Sequence, residues 1–482
     1  MRSTLRKCIY IFAAYVLILI GVAVHAGAQT GAVSAPALLH AANTGNSAIS
    51  LRDGAAVVTT YSGNAATSSA LMQRQARPVS LSSGDFDEDG VPDLVAGYST
   101  GSGGILSIHR GNINALWPYG DAVRSGPPPS FLPQARTSVL PESPDFIATG
   151  DFDADGHLDV VTAQIGSSAI YFLRGDGRGG LGQPQRISLP GQITAMASGD
   201  INRRDGLDDL VITVNAANGA QALVFESPNG AVRAVPEIIS LPADATSVAI
   251  GRIGGTPMSD VVVAAGNNLV VIHARDRKLS FSPEQRASVA PARVTVQSLS
   301  FAPLSIVVGD FTGAGPSVAA LGDDGRLHIL ERTGAPDNWD QSPSVNSNSQ
   351  STVAIRGGRG KSPIVFSGTI SPSIARRIAA RQQAIASALS SVPEWTERNA
   401  IALPAGFHQE TPRLVVGHVS TSAQEDVLVT DSGNNKVYVF STGPQQHSAP
   451  AATQISDSTN PTPESMSLLA SLDSTAAPAA IL

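Results

Sequence analysis

One phrase occurs twice, almost unchanged, in this chain of 482 residues. Gly84-Asp85-Phe86-Asp87-Glu88-Asp89-Gly90-Val91-Pro92-Asp93-Leu94-Val95 returns 66 residues later as Gly150-Asp151-Phe152-Asp153-Ala154-Asp155-Gly156-His157-Leu158-Asp159-Val160-Val161. Each copy sets aspartate at positions 1, 3, 5 and 9 of a loop and glycine at 6, then runs into β-branched residues. Alternate residues of a tight loop aim carboxylates at one point, and a hard cation such as calcium takes about six to eight oxygens. Glycine permits the sharp turn. An acidic loop therefore feeds a strand, and its recurrence marks a repeat architecture.

The phrase returns in worn form. Gly199-Asp200-Ile201-Asn202 leads to Asp205-Gly206 and Asp209-Leu210-Val211, with one extra residue in the loop. Gly251-Arg252-Ile253 leads to Asp260, Gly309-Asp310-Phe311 leads to Val318 where an aspartate is expected, and Gly417-His418-Val419 leads to Asp426. A further, degraded register spans Ile355 to Phe366. Registers near 84, 150, 199, 251, 309, 357 and 417 make seven. An apolar stretch precedes each glycine, as in Ser305-Ile306-Val307-Val308. A second strand follows each loop, as in Ala169-Ile170-Tyr171-Phe172-Leu173 and Leu269-Val270-Val271-Ile272. Short strands with turn signals at regular spacing argue an all-β fold. A repeat of this length with about four strands fits a propeller blade.

The phrase resembles the FG-GAP/VCBS repeat, the unit of the calcium-binding propeller at the N-terminus of integrin α chains and of many secreted bacterial proteins. Leu173-Arg174-Gly175-Asp176-Gly177-Arg178-Gly179-Gly180-Leu181 is similar to that family's closing glycine-rich turn. The resemblance covers about residues 80 to 442 and implies a seven-bladed β-propeller. It says little about a partner, because one fold hosts many functions.

Three segments fall outside the repeat. Arg2, Arg6 and Lys7 precede an apolar run from Ile9 to Val24, and Ala26-Gly27-Ala28 is a small-x-small cleavage site, so an export signal is expected over 1–28. That run is shorter than the about 20 residues a bilayer span needs. The mature chain is expected to be secreted or periplasmic, with no membrane span. Ala48 to Leu51 and Ala56 to Thr59 read as a hairpin able to lend outer strands to the C-terminal blade. Ile374, Ile378, Ile385 and Leu389 share one face at helical spacing and predict a helical insertion over 371–391, in the sixth register. The propeller is placed at 29–443, and the Ser/Thr/Pro-rich tail at 444–482 is expected to be disordered.

The formal charge of −7, with no basic cluster, argues against nucleic acid as a partner. The single cysteine, Cys8, lies inside the export signal. The mature chain would therefore have no disulfide, cysteine–zinc site or cysteine nucleophile. A bound ion is then a candidate staple, because a ligand that binds only the native state stabilises it.

The predicted calcium ligands of the first loop are Asp85, Asp87, Asp89 and Asp93 with the Val91 carbonyl. Those of the second are Asp151, Asp153, Asp155 and Asp159 with the His157 carbonyl. A third loop offers Asp200, Asn202, Asp205 and Asp209. The alternative is an Asx-turn loop without metal. The EF-hand pattern fails, because Ala96 and Thr162 stand where it needs glutamate. The expected role of the ion is structural, since one loop supplies all its ligands.

Other motifs read as ordinary structure. Gly97-Tyr98-Ser99-Thr100-Gly101 matches a nucleophile elbow but lies between two strands instead of strand and helix. Gly-Lys-Ser at 360–362 lacks the first glycine of a phosphate loop. Arg174-Gly175-Asp176 spells an adhesion tripeptide within the glycine-rich turn. Trp117, Trp339 and Trp395 lie between predicted strands, where exposed aromatics favour sugar or protein binding and buried ones cap their own loops. The function expected is a non-catalytic, monomeric binding or adhesion module for an extracellular protein or glycan. The alternatives are a secreted carbohydrate-active enzyme, with His, Tyr, Arg and acid gathered at the channel mouth, and an envelope scaffold.

Overall fold

The structure is a computed structural model that describes residues 59–116, 128–201, 206–277, 291–333, 352–355, 364–367, 394–407, 413–419, 422–431, 436–441 and 467–473. It is a β-propeller of six blades. Blade 1 comprises β1 (Thr60–Ser62), helix α1 (Ala65–Met72), β2 (Arg77–Gly84), β3 (Asp93–Thr100), β4 (Gly103–Gly111), helix α2 (Ile113–Leu116) and β5 (Phe131–Leu140). Blade 2 is β6 (Phe146–Gly150), β7 (Asp159–Ala163), β8 (Ala169–Leu173) and β9 (Gln185–Ser188). Blade 3 is β10 (Gly191–Gly199), β11 (Asp209–Ala216), β12 (Gly219–Phe225) and β13 (Glu237–Ser240). Blade 4 is β14 (Ala245–Gly251), β15 (Asp260–Ala265), β16 (Asn268–Ile272) and β17 (Val294–Ser298).

Blade 5 begins with β18 (Pro303–Gly309), β19 (Ser317–Gly322) and β20 (Arg326–Arg332). A separate hairpin follows, β21 (Thr352–Ile355) and β22 (Ile364–Ser367), before the outer strand β23 (Trp395–Ala402) completes the sheet. Blade 6 is β24 (Leu414–Gly417), β25 (Asp426–Asp431), β26 (Lys436–Ser441) and β27 (Ser467–Asp473). Within each blade the four strands form an antiparallel meander, and in blade 1 β1 adds a parallel edge strand beside β5.

The inner strands β2, β6, β10, β14, β18 and β24 pack against one another in that order. The second and third strands are covered on both faces. Along β15, Val261, Val263 and Ala265 join the core shared with blade 3, while Val262 and Ala264 join the core shared with blade 5. That two-sided burial explains why these strands read as unbroken apolar runs. The third residue of each repeat phrase plugs the space toward the next blade. Phe86, Phe152, Ile201, Ile253 and Phe311 are each no more than 4% exposed. In blade 6 the plug position is Val419, 41% exposed.

The expectation of seven blades is corrected to six. The register near 357 forms only the β21–β22 hairpin, a two-stranded sheet of its own inserted between β20 and β23. It spells Ile-Arg-Gly-Gly-Arg-Gly-Lys, without the apolar plug or the closing aspartate, so it lacks the side chains that seat a blade on its neighbours. Two strands alone are marginal as a unit. The register of β18 with β19 also puts Ser317, not Val318, at the aspartate position of blade 5.

The tail is corrected in part. Ser467–Asp473, expected to be disordered, pairs with β26 and is the outer strand of blade 6. β1, from the N-terminal segment, pairs inside blade 1 instead of with the C-terminal blade. The export signal, most of the predicted hairpin at 48–59 and the helix expected over 371–391 lie outside the described residues. Among the described residues no helix is long and apolar enough to cross a membrane.

Candidate metal centre

The two full phrases fold into the same loop. In the first, Glu88 and Gly90 take φ of 58° and 85°; in the second, Ala154 and Gly156 take 58° and 90°. Left-handed backbone at a non-glycine residue is uncommon, and here hydrogen bonds fix it. Asp85 accepts from the Asp89 and Gly90 amides at 3.1 and 2.9 Å, and Asp151 accepts from Asp155 and Gly156 at the same distances. Asp89 Oδ1 accepts from Val91 N–H, and Asp155 Oδ1 from His157 N–H, each at 2.9 Å. The loop conformation is thus set by its own aspartates.

The ninth position of the loop is a latch. Asp93 accepts from Phe86 N–H at 3.0 Å and Gly111 N–H at 2.7 Å. Asp159 accepts from Phe152 N–H at 3.0 Å and Gly175 N–H at 2.8 Å. Each ties the start of the second strand to the plug residue and to the end of the third strand. Burial pushes the Asp93 carboxyl up to about 6 and the Asp159 carboxyl up to about 7, against the pull of those N–H donors and helped by neighbouring aspartates.

Three carboxylates converge in each loop. Asp85, Asp87 and Asp93 offer oxygens within 4.8 Å of one another, and so do Asp151, Asp153 and Asp159. Asp89 and Asp155, also predicted as ligands, are outside these clusters and cap the turn. Asp87 and Asp153 are the telling members. Their side chains are 4% and 5% exposed, and Oδ1 of each is buried without a hydrogen bond. A buried, ionisable oxygen without a donor is costly, and a cation is the partner that chemistry supplies. The residues fit a hard cation that takes oxygen ligands.

In the third loop Asp209 keeps the latch, accepting from Ile201 N–H at 3.0 Å, and Asp200 accepts from Gly206 N–H at 3.3 Å. Asn202 and Asp205 lie outside the described residues.

Arginines, which the sequence reading missed, face both clusters. Arg110 pairs with Asp87. Arg174 pairs with Asp155 at 2.5 Å and with Asp153 at 3.2 Å, and Arg233 from blade 3 reaches Asp153 at 3.1 Å. Arg110 and Arg174 occupy the same strand register, opposite the latch aspartate. The matching positions of the other four blades hold Glu226, His273, Glu331 and Ser441. The signal was present as an Arg-Gly pair ending the third strand of both acidic blades.

The two loops also interlock. His157 Nδ1 meets Glu88 Oε1 at 2.5 Å, and Gly179 N–H donates to the Phe86 carbonyl at 2.8 Å. The adhesion-like tripeptide is used within this frame. Arg174 neutralises Asp155, Gly175 donates to Asp159 where a Cβ would strike the Leu158 carbonyl, and Asp176 caps the Arg178 and Gly180 amides. The elbow-like Gly97 to Gly101 is the end of β3 and the start of its tight turn into β4. Trp395 is not on a loop; it is 3% exposed in β23, while Trp117 and Trp339 lie outside the described residues.

Residues 151–212 match the FG-GAP-like repeat, a span that holds the second acidic loop and most of the third register. No curated relative matches the chain. Among solved structures, a chain of the complex of BBS1N with ARL6DN, soaked with lead, is 15% identical with a TM-score of 0.42, covering 80% of this chain and 81% of that one. A chain of the Chaetomium thermophilum polycomb repressive complex 2 is 12% identical with a TM-score of 0.43, covering 76% and 67%.

Proposed function

We propose that this FG-GAP-repeat β-propeller is an exported, non-catalytic binding module for an extracellular protein or glycan, with calcium stapling its first two blades. FG-GAP repeats are typical of extracellular proteins, and the propeller is a rigid frame that presents the loops between its strands. Recognition concentrates on loops held by such scaffolds.

The observation that carries the calcium reading is the pair of buried Oδ1 atoms, on Asp87 and Asp153, that no donor meets. Asp85, Asp87 and Asp93 would hold one ion, and Asp151, Asp153 and Asp159 the other. Each ion would supply a hard divalent charge that joins loop carboxylates without a disulfide. Because the first loop touches the glycine-rich turn of blade 2 through Phe86 and Gly179, fixing it also fixes the seam between the blades.

The test is a glycan and extracellular-protein binding screen of the mature chain, with calcium and after chelation, beside assays for glycan cleavage. Saturable binding without turnover is expected. Cleavage of a bound glycan would overturn the non-catalytic reading, and identical melting with and without calcium would overturn the staple.

A further inference from the structure

The inner strands of blades 2 to 6 surround a cavity of about 620 Å³. Small-ligand sites commonly measure about 300–1,000 Å³ and are mostly apolar with few polar groups. This one has aliphatic walls, Val248, Ile306 and Val308 among them, interrupted by the hydroxyls of Ser247 and Ser305. Arg413 is the one charged side chain among the described lining residues. The chain as a whole carries a net charge of −7, against which a cation on this cavity wall stands out.

Arg413 immediately precedes β24. Its Nη2 donates to the Asp145 carbonyl at 2.8 Å, and its guanidinium lies 5.4 Å over the Phe146 ring. The Asp145 carboxylate does not pair with it. Oδ1 accepts from the Ser143 hydroxyl at 2.7 Å and Oδ2 from Ile165 N–H at 3.0 Å. Burial pushes the guanidinium below its usual range, with Asp145 offsetting that in part. A guanidinium has more N–H donors than one carbonyl can use. Ser247 and Ser305 accept from Ile306 N–H at 3.2 Å and Leu414 N–H at 3.1 Å, which uses lone pairs and leaves their O–H groups to donate.

We propose that this cavity binds a small organic carboxylate with an apolar body, held at its charged end by Arg413. The planar fork of a guanidinium matches a carboxylate in a bidentate pair. One positive charge balances a monoanion, whereas a phosphate dianion would be left partly uncompensated among aliphatic walls. The cavity lining includes none of the aspartates of the two cation clusters, so the proposal stands apart from the calcium reading.

Isothermal titration of the chain with benzoate, with benzyl alcohol as its uncharged counterpart, and with inorganic phosphate tests this. Benzoate is expected to bind at least about tenfold more tightly than either of the others, a gap of about 1.4 kcal/mol. Arg413→Gln should abolish that preference. Because Arg413 also ties β24 to Asp145, its variant is checked for an unchanged melting transition. Leu304→Trp, which narrows the cavity and keeps the guanidinium, is the second arm and should block benzoate. Benzoate binding no tighter than benzyl alcohol or phosphate, or binding unchanged in a folded Arg413→Gln or in Leu304→Trp, overturns the proposal.

Discussion

Blades 1 and 2 differ from blades 4 to 6 in chemistry, yet the frame beneath is shared. In both regions an apolar plug is buried toward the next blade, except at Val419, and an aspartate or its substitute starts the second strand. Asp260, in a blade with no acidic cluster among its described residues, accepts from Ile253 and Gly254 N–H at 3.1 and 2.7 Å and from Ala274 N–H at 2.8 Å. Asp426 accepts from Val419 N–H at 2.7 Å, and in blade 5 Ser317 donates to the Gly309 carbonyl at 3.1 Å. The ninth position of the phrase therefore ties loop to strand in blades with the acidic cluster and in blades where the phrase is worn. The comparison separates two jobs that one motif conceals: plug and latch build a blade, while the residues at positions 1 and 3, joined by the latch aspartate and faced by an arginine, build a charged cradle.

The plug should show the largest effect and should ignore the chemical difference. Phe152 and Phe311 are both fully buried, one in an acidic blade and one in a worn blade. Truncating either to alanine should cost about 3–5 kcal/mol, measured by chemical denaturation, while Val419→Ala should cost well under about 1 kcal/mol. A much smaller loss at Phe311 than at Phe152 would break the claim of a common frame.

The latch comes next. Asp260→Ala leaves three N–H groups without their acceptor and should cost about 3 kcal/mol. The loss should be the same with calcium or chelator. A dependence on calcium at Asp260 would mean that blade 4 holds an ion after all, and the division between latch and cradle would fail.

Calcium should then act on blades 1 and 2. At a concentration a hundredfold above its dissociation constant, an ion at one site adds about 2.7 kcal/mol. Chelation should lower the melting temperature of the wild type, and the Asp87→Ala, Asp153→Ala double variant should lose most of that shift. Asp310→Ala, in the first loop position of blade 5, should keep it. An undiminished calcium shift in the double variant would place the ion elsewhere.

Much of this frame was legible in the sequence, because two-sided burial forces apolar runs and the plug follows each glycine at fixed spacing. The blade number was not. Counting glycine registers gave the degraded copy near 357 the same weight as the others, although only side chains that seat a blade make it one. Ligand and latch could not be told apart either. An aspartate at position 9 looks the same in sequence whether its oxygens face a cation or two backbone amides. Asp89 and Asp155 had the right spacing for ligands, but an Asx cap at Val91 and His157 claims one oxygen of each. Arg413 carried no local signal at all. Its isolation from carboxylates comes from how Asp145, 268 residues away in sequence, directs its own hydrogen bonds.

The smallest expected effect concerns the arginines that accompany the acidic blades. Arg174 is half exposed and bonded to both Asp153 and Asp155, so water and salt screen it and its contribution is modest. Its sign is the informative part. A guanidinium beside the cluster neutralises carboxylates that would otherwise repel, yet the same positive charge opposes an incoming cation. Arg174→Gln should therefore lower the melting temperature of the chelated protein and tighten calcium binding a few-fold, widening the gap between calcium-loaded and chelated melting. Glu226, at the corresponding register of blade 3, gives the contrast: Glu226→Gln should leave that gap as it is. If Arg174→Gln instead narrows it, the arginine supports the ion. The pairing of arginine with acid in blades 1 and 2 would then be part of one cation site, not a counter-charge in competition with it.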